Sequence, residues 1–416
     1  MALCRPVQWL AVCLYCACLC TACAYSQHLG MRQHLTSKES RDNLITQLEK
    51  EDAKNIDQAV HLLNLGMLYR LNGQYRKSIG IWETAKRIIA EQRATSISEG
   101  VSSFLVNNNE QSYSPNATEE QNLYILQAAN FLDLNRPDDA RVEVLQREQL
   151  LKEYPPYLLY PFADYFAGMV FEINHEPDQA LISYRRAVNG YNRINAGPPT
   201  PLLQDYARLL QYLDEHEELN ALLETWPITY PKHKPNLTIL VAHGLVPEKI
   251  ENRITRFSAE HNNSFTIALP DYPPSRAMAA MSINVNGAKH AISRVGNIDA
   301  MVRYELEQSM DSLLAQAIIR QIAKRGIADA VAEEAQEVDS SASSGQLVSI
   351  LSEVLIIATE RADLRSWNSL PAGIDIYRTH QPQGSYIVET PGVEQPLTVE
   401  IGNANQVLRM VHQIGA

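Results

Sequence analysis

The chain has 416 residues, 45% of them apolar, with 36 Lys and Arg against 48 Asp and Glu, a formal net charge of -12. That length accommodates two or three cores, and that apolar content excludes both a disordered tail and a multi-span membrane protein. The negative balance, with no basic run interleaved by aromatics, excludes nucleic acid as the main partner.

Every cysteine lies in the first 23 positions: Cys4, Cys13, Cys16, Cys18, Cys20 and Cys23. Arg5 supplies a positive start, and residues 7–22 are an uncharged apolar run. Such a run is too short to cross about 30 Å of hydrocarbon as a helix and suits a signal-peptide core. Leu19-Cys20-Thr21-Ala22-Cys23 resembles a bacterial lipobox, with small residues just before the cysteine that is acylated, although Cys20 stands where an aliphatic residue is usual. On this reading residues 1–22 are a lipoprotein signal peptide, and Cys23 is the lipidation site. Several acyl chains, at about 0.8 kcal/mol per buried methylene, then hold the protein on the membrane. Ala24, rather than Asp, after the cysteine implies sorting to the outer membrane. Ala22-Cys23-Ala24 also fits a small-x-small cleavage site, which would release a soluble protein. A thiolate metal site is the poorest reading, because the run has no polar or histidine partners.

Residues 23–54 read as a polar tether leading into a first helix. Residues 55–228 then read as helical repeats. In the first, Gly66, Tyr69, Gly73, Tyr75, Ser78, Trp82 and Ala85 follow the tetratricopeptide spacing of small and large positions. Ala128, Phe131, Asn135, Pro137, Ala140 and Val144 repeat it, as do Gly168, Phe171, His175, Pro177, Ala180, Tyr184 and Ala187. Leu209, Tyr212, His216 and Ala221 belong to a degenerate fourth unit. The Asn/Ser-rich stretch at 103–120 reads as a surface loop between the first two units. Three units in register predict a tetratricopeptide-like α-solenoid with a concave groove. Tyr154, Tyr157, Tyr160 and Tyr165 crowd one short segment, read as solenoid packing in preference to a peptide-binding strip.

The three prolines of "WPITYPKHKPN" (226–236) mark a break. Residues 236–416 read as an α+β domain of independent folding potential. "LTILVAHG" and "SFTIALP" predict strands, and Asn286-Gly287 between alternating runs predicts a tight hairpin. Apolar spacing predicts a long helix from Ile298 to about Ala335, "SSASSG" a break, and a second apolar helix up to Thr359. The tail predicts three or four strands in an antiparallel meander. The fold class is thus mainly α: a tetratricopeptide-like solenoid, then an α+β domain.

Motifs for zinc hydrolysis, the nucleophile elbow, phosphate loops and dinucleotide binding are absent, so no enzyme, cofactor or metal is expected. Loss of the head would leave Cys23 as the last thiol, itself blocked by lipid. Glu215-His216-Glu217 reads as a solvated helix face, and His175 as a turn residue. The densest polar cluster is Arg361, Asp363, Arg365 and Trp367, which serves either as a buried joint or as a ligand or partner site.

Taken with the lipobox and repeats, "LVAHGLVPEKIE" (240–251), "TIALPDY" (266–272), "IIRQIAKRG" (318–326) and "RADLRSWNSLPAGIDIYR" (361–378) resemble a family of proteobacterial outer-membrane lipoproteins with tetratricopeptide-like repeats. The resemblance implies a lipid-anchored protein facing the periplasm, with a role in protein assembly and no known activity. The expected function is a protein-interaction scaffold for envelope proteins. The alternative is a ligand- or peptidoglycan-binding module carried by the α+β part.

Overall fold

A computed structural model describes residues 34–51, 57–99, 112–155, 158–258, 263–275, 281–338, 361–393, 395–402 and 406–413. Cys23, the signal peptide, the "SSASSG" break and the helix expected up to Thr359 lie outside these residues.

The helical half runs through α1 (Lys38–Lys50), α2 (Gln58–Leu71), α3 (Tyr75–Glu99), α4 (Ala117–Asp133), α5 (Pro137–Leu150), α6 (Pro161–Ile173), α7 (Pro177–Arg193), α8 (Thr200–Tyr212) and α9 (His216–Thr225). From α2 onward they form successive helix pairs, and the residue types explain the pairing. Gly66 and Trp82, Ala128 and Val144, and Gly168 and Tyr184 occupy equivalent places on the first and second helices of three pairs. A methyl group added at Gly66 would overlap the Trp82 indole, and one at Gly168 would overlap the Tyr184 ring. Where the large partner shrinks to Val144, the facing residue grows to Ala128, and both are buried. Each pair turns through a left-handed residue: Gly73, Asn135, His175 and Asp214 have φ of 69°, 57°, 60° and 60°. Proline then opens α5 and α7, where its missing N–H costs nothing.

Two stretches flanking the helix pairs pack more closely than their polarity implies. Within the first of them, the expected first helix is α1, which packs Leu44, Ile45 and Leu48 against Leu65, Leu68 and Tyr69 of α2. A sparse stripe suffices there, since α1 covers only the outer face of the first pair. The Asn/Ser-rich loop also turns inward at its end: Tyr113, Thr118, Glu119 and Glu120 are buried. Asn116 and Glu119 form a capping box that starts α4.

The second half contributes β1 (Leu237–His243), β2 (Ile250–Ser258), β3 (Asn263–Asp271), β4 (Ser282–Val285), β5 (Ala288–Ala291), β6 (Ser293–Asn297), α10 (Ile298–Val338), β7 (Gly373–Thr379), β8 (Gly384–Glu389), β9 (Leu397–Ile401) and β10 (Val407–Gln413). Asn286 and Gly287, with φ of 48° and 80°, form the expected hairpin turn between β4 and β5. The tail is not one antiparallel meander. β7 and β10 join β1 and β6 in the order β10-β1-β7-β6, with β10 parallel to β1. β8 and β9 form a second sheet with β4 and β5, in the order β5-β4-β8-β9. A strand signal carries no partner, so period-2 reading could not separate the two sheets. Burial does: β7 opens with five consecutive buried residues, whereas β8 alternates.

The first of these sheets is a middle layer. Leu240, Ala242, Ile374, Ile376, Leu408 and Met410 belong to the same buried cluster as the helices. Leu237, Ile239, Val241 and Tyr377 face Ile283, Val285, Val388, Val399 and Ile401 of the second sheet. One core therefore crosses the 228–236 junction. Residues 236–416 cut free would expose an apolar sheet face, which removes the basis for expecting independent folding.

Polar contacts seal the same seam. Arg70 of α2, fully buried, donates to His412 Nε2 at 2.9 Å and to Asn130 at 2.5 Å, and pairs with Asp133 at 3.1 Å. The imidazole thus accepts at Nε2, and burial with the adjacent guanidinium holds it well below its ordinary pKa.

One buried carboxylate sets a pH dependence. Burial pushes Glu143 up to about 7, against the opposing pull of Lys86 2.9 Å away. Because the folded value is raised, the stabilising contribution is complete below about 4.5 and is lost as pH rises through about 7. A denaturation series from pH 4 to 8 should show this fall, on the order of 3 kcal/mol at most. Glu143→Gln should remove that component; an unchanged profile would refute the assignment.

Candidate functional site

The cluster singled out in the sequence does not converge on a cleft. Residues 361–367 are irregular, and Arg361 is exposed. Arg365 donates to Asp363 at 2.7 Å and to Asp57, ahead of α2, at 2.9 Å, and lies over the Tyr113 ring. Trp367 is buried edge-on against Trp82 with ring centroids 5.8 Å apart, and its backbone N–H donates to Glu119. Ser369 donates to Asn64 of α2 at 2.7 Å. Two of the four residues, Arg365 and Trp367, thus bind the 361–372 segment to the first helix pairs, and Asp363 holds Arg365 in place. Among the tyrosines, Tyr160 and Tyr165 are buried in the helical cluster. His216 and Glu217 are exposed.

A different place has the makings of a site. Three prolines four apart, Pro227, Pro231 and Pro235, bias Trp226, Tyr230 and Lys234 toward extended backbone and prevent a helix or ladder from forming. The resulting strap packs Trp226, Ile228 and Tyr230 on the helical core and ends where Asn236 joins β7 and β10. Between strap, α6, α8 and the sheet edge opens a cleft of about 800 Å³. Its wall includes Glu172, His175, Arg208, Tyr212, Lys232, Lys234, His380 and Gln406.

Behind this wall lies a closed charge cluster. Glu172 accepts from Arg208 at 2.6 Å, from Arg378 at 2.8 Å and from the Tyr184 hydroxyl at 2.6 Å. Asp205 accepts from Tyr165 at 2.7 Å and lies 2.8 Å from Arg378 Nε. Despite burial, the two guanidiniums hold Glu172 below its ordinary value. The Tyr165 and Tyr184 hydroxyls are pushed well above theirs, by burial first and the carboxylates second. Two carboxylates thus balance two guanidiniums within the cluster.

The solvent side is unbalanced. Lys234 donates to the Glu172 carbonyl at the C-terminal end of α6 at 2.6 Å, and burial lowers its pKa. Lys232, His175 and His380 are exposed, and Tyr212 retains 70% of its surface. A second cavity, of about 490 Å³, shares His175 and Pro177 with the first and adds Arg141, Leu145 and Phe171. The left-handed turn at His175 therefore stands as a saddle between two pockets. Sequence reading caught the proline strap as a break and His175 as a turn. Arg208, Lys234 and His380 come from distant positions, and no local pattern links them. The one available signal was the alternation of Tyr, Lys and His with proline in "YPKHKP" (230–235).

Among the described residues no three His, Cys, Asp or Glu side chains are grouped to hold a metal ion, and no helix is long and apolar enough to cross a membrane.

No family model matches the chain, and no curated protein matches it. Among solved structures it is similar to one titled "Crystal structure of BtubC (BKLC) from P. vanneervenii", at 13% identity, over 47% of this chain and 71% of that one, with a TM-score of 0.32. It is also similar to one titled "MamA MSR-1 C2", at 15% identity, over 48% of this chain and 93% of that one, with a TM-score of 0.28. Neither likeness assigns a family or an activity to this chain.

Proposed function

We propose that this chain is a non-enzymatic interaction scaffold of the cell envelope, in which the helix pairs stack as a tetratricopeptide-like solenoid buttressed by the sheets. The observation that carries this reading is the cleft at 230–234, where exposed Tyr212 and Lys232 meet a rigid wall of buried ion pairs. Preformed concave surfaces with exposed aromatics suit polypeptide recognition. In this reading Cys23 carries the lipid, the protein sits on the periplasmic face of the outer membrane, and its partner is another envelope protein.

Affinity purification of the native chain from detergent-solubilised envelopes tests it. One partner should be recovered reproducibly and should be lost with Tyr212→Ala, while a circular dichroism melt stays unchanged. Recovery that is irreproducible, or equal for the variant, refutes the cleft. Intact mass of the same preparation tests the anchor: a triacyl increment on a chain starting at Cys23 is expected, and an unmodified chain starting after Ala24 overturns it.

A further inference from the structure

We propose that the cleft between the proline strap and α8 takes an extended acidic segment of a partner polypeptide, with its carboxylate side chains against Lys232 and Lys234. This rests on reading the chain as a binding protein and specifies the chemistry of what it binds.

The argument starts from charge. The whole chain carries a net -12, yet the larger pocket is lined by Arg208, Lys232 and Lys234 against one carboxylate, Glu172. That carboxylate is already engaged by Arg208 and Arg378, so it leaves the ammonium groups of Lys232 and Lys234 uncompensated within the pocket wall. Arg208 is buried, and its Nε meets no hydrogen-bond acceptor among the described residues. The wall thus offers more donors than acceptors, an imbalance that a carboxylate-bearing ligand corrects. A basic patch in an acidic chain also orients an acidic partner before contact and repels further copies of the chain itself.

The smaller pocket is less suited to an acidic segment. Arg141 there is paired with Glu176 at 2.7 Å, Asp178 adds a second carboxylate, and Phe171 is buried. Tyr212 and Tyr230 supply flat surface along the larger one.

The test uses the purified full chain in nonionic detergent and fluorescence anisotropy with a labelled octapeptide of alternating glutamate and leucine. A lysine-for-glutamate counterpart, heparin and inorganic phosphate are the comparison probes. The glutamate peptide should bind, weaken with added salt, and lose about tenfold in affinity with Lys232→Glu, an exposed position outside the buried cluster. The lysine peptide should not bind. Equal binding of both peptides, an unchanged affinity in Lys232→Glu, or heparin binding that depends on Lys232 while the glutamate peptide fails to bind would each overturn the proposal. Such a failure alongside an envelope partner still lost with Tyr212→Ala removes only the acidic chemistry. Absence of any such partner removes the binding role itself.

Discussion

Arg378→Ala should destabilise the protein by about 3–5 kcal/mol, because it strips one of two guanidiniums from a buried cluster that holds two carboxylates. Arg378 stands on β7, and its side chain reaches across the seam to Glu172 of α6, Asp205 of α8 and Thr238 of β1, each at 2.8 Å. With it gone, Arg208 alone faces both acids, 2.6 Å from Glu172 but 3.6 Å from Asp205. Asp205 then lies buried without its nearest guanidinium, and the sheet loses one tie to the last helix pairs. The check is urea denaturation of the single variant beside Arg378→Ala/Asp205→Asn. Neutralising Asp205 restores one carboxylate against one guanidinium, so the double variant should recover part of the loss. A single-variant cost under about 1 kcal/mol would mean that water reaches the cluster, as at exposed pairs.

A second large effect is expected at Gly66→Ala. Alanine ordinarily stabilises a helix interior relative to glycine by about 1 kcal/mol. Here the added methyl overlaps the Trp82 ring, which has nowhere to go: it is fully buried, bonded to the Leu63 carbonyl at 3.1 Å and packed edge-on against Trp367. Forcing the α2–α3 pair apart should therefore cost about 1–3 kcal/mol, reversing the sign that propensity alone predicts. In a Trp82→Val background, which recreates the Ala128–Val144 combination of the second pair, the same substitution should be neutral or stabilising. A double-mutant cycle reads that coupling directly; additive effects would show that the two helices do not meet at this point.

The repeat pattern was legible because it is a local code. Spacing of small and large residues along one helix dictates how closely the next can approach, and Gly66, Gly168 and the left-handed turns at Asn135 and His175 follow from it. The Asn286-Gly287 hairpin was legible for the same reason. Arg365 and Trp367 were visible as an unusual cluster, but whether they face a ligand or the core depends on Asp57, Glu119 and Trp82, hundreds of residues away in the chain.

By itself, then, the sequence determined the helix pairs, their turns, the proline strap, the hairpin and several strands, though not β2 or β6. Each of these depends on backbone preference and on neighbours within one or two turns. Only the tertiary structure decided which sheet each tail strand joins and that β1 is apolar on both faces because it lies between helices and a second sheet. It also decided that Lys232 and Lys234 share a pocket with Arg208 and His380. Sheet partnership and charge convergence are long-range outcomes of burying one common core, and no periodicity along the chain encodes them.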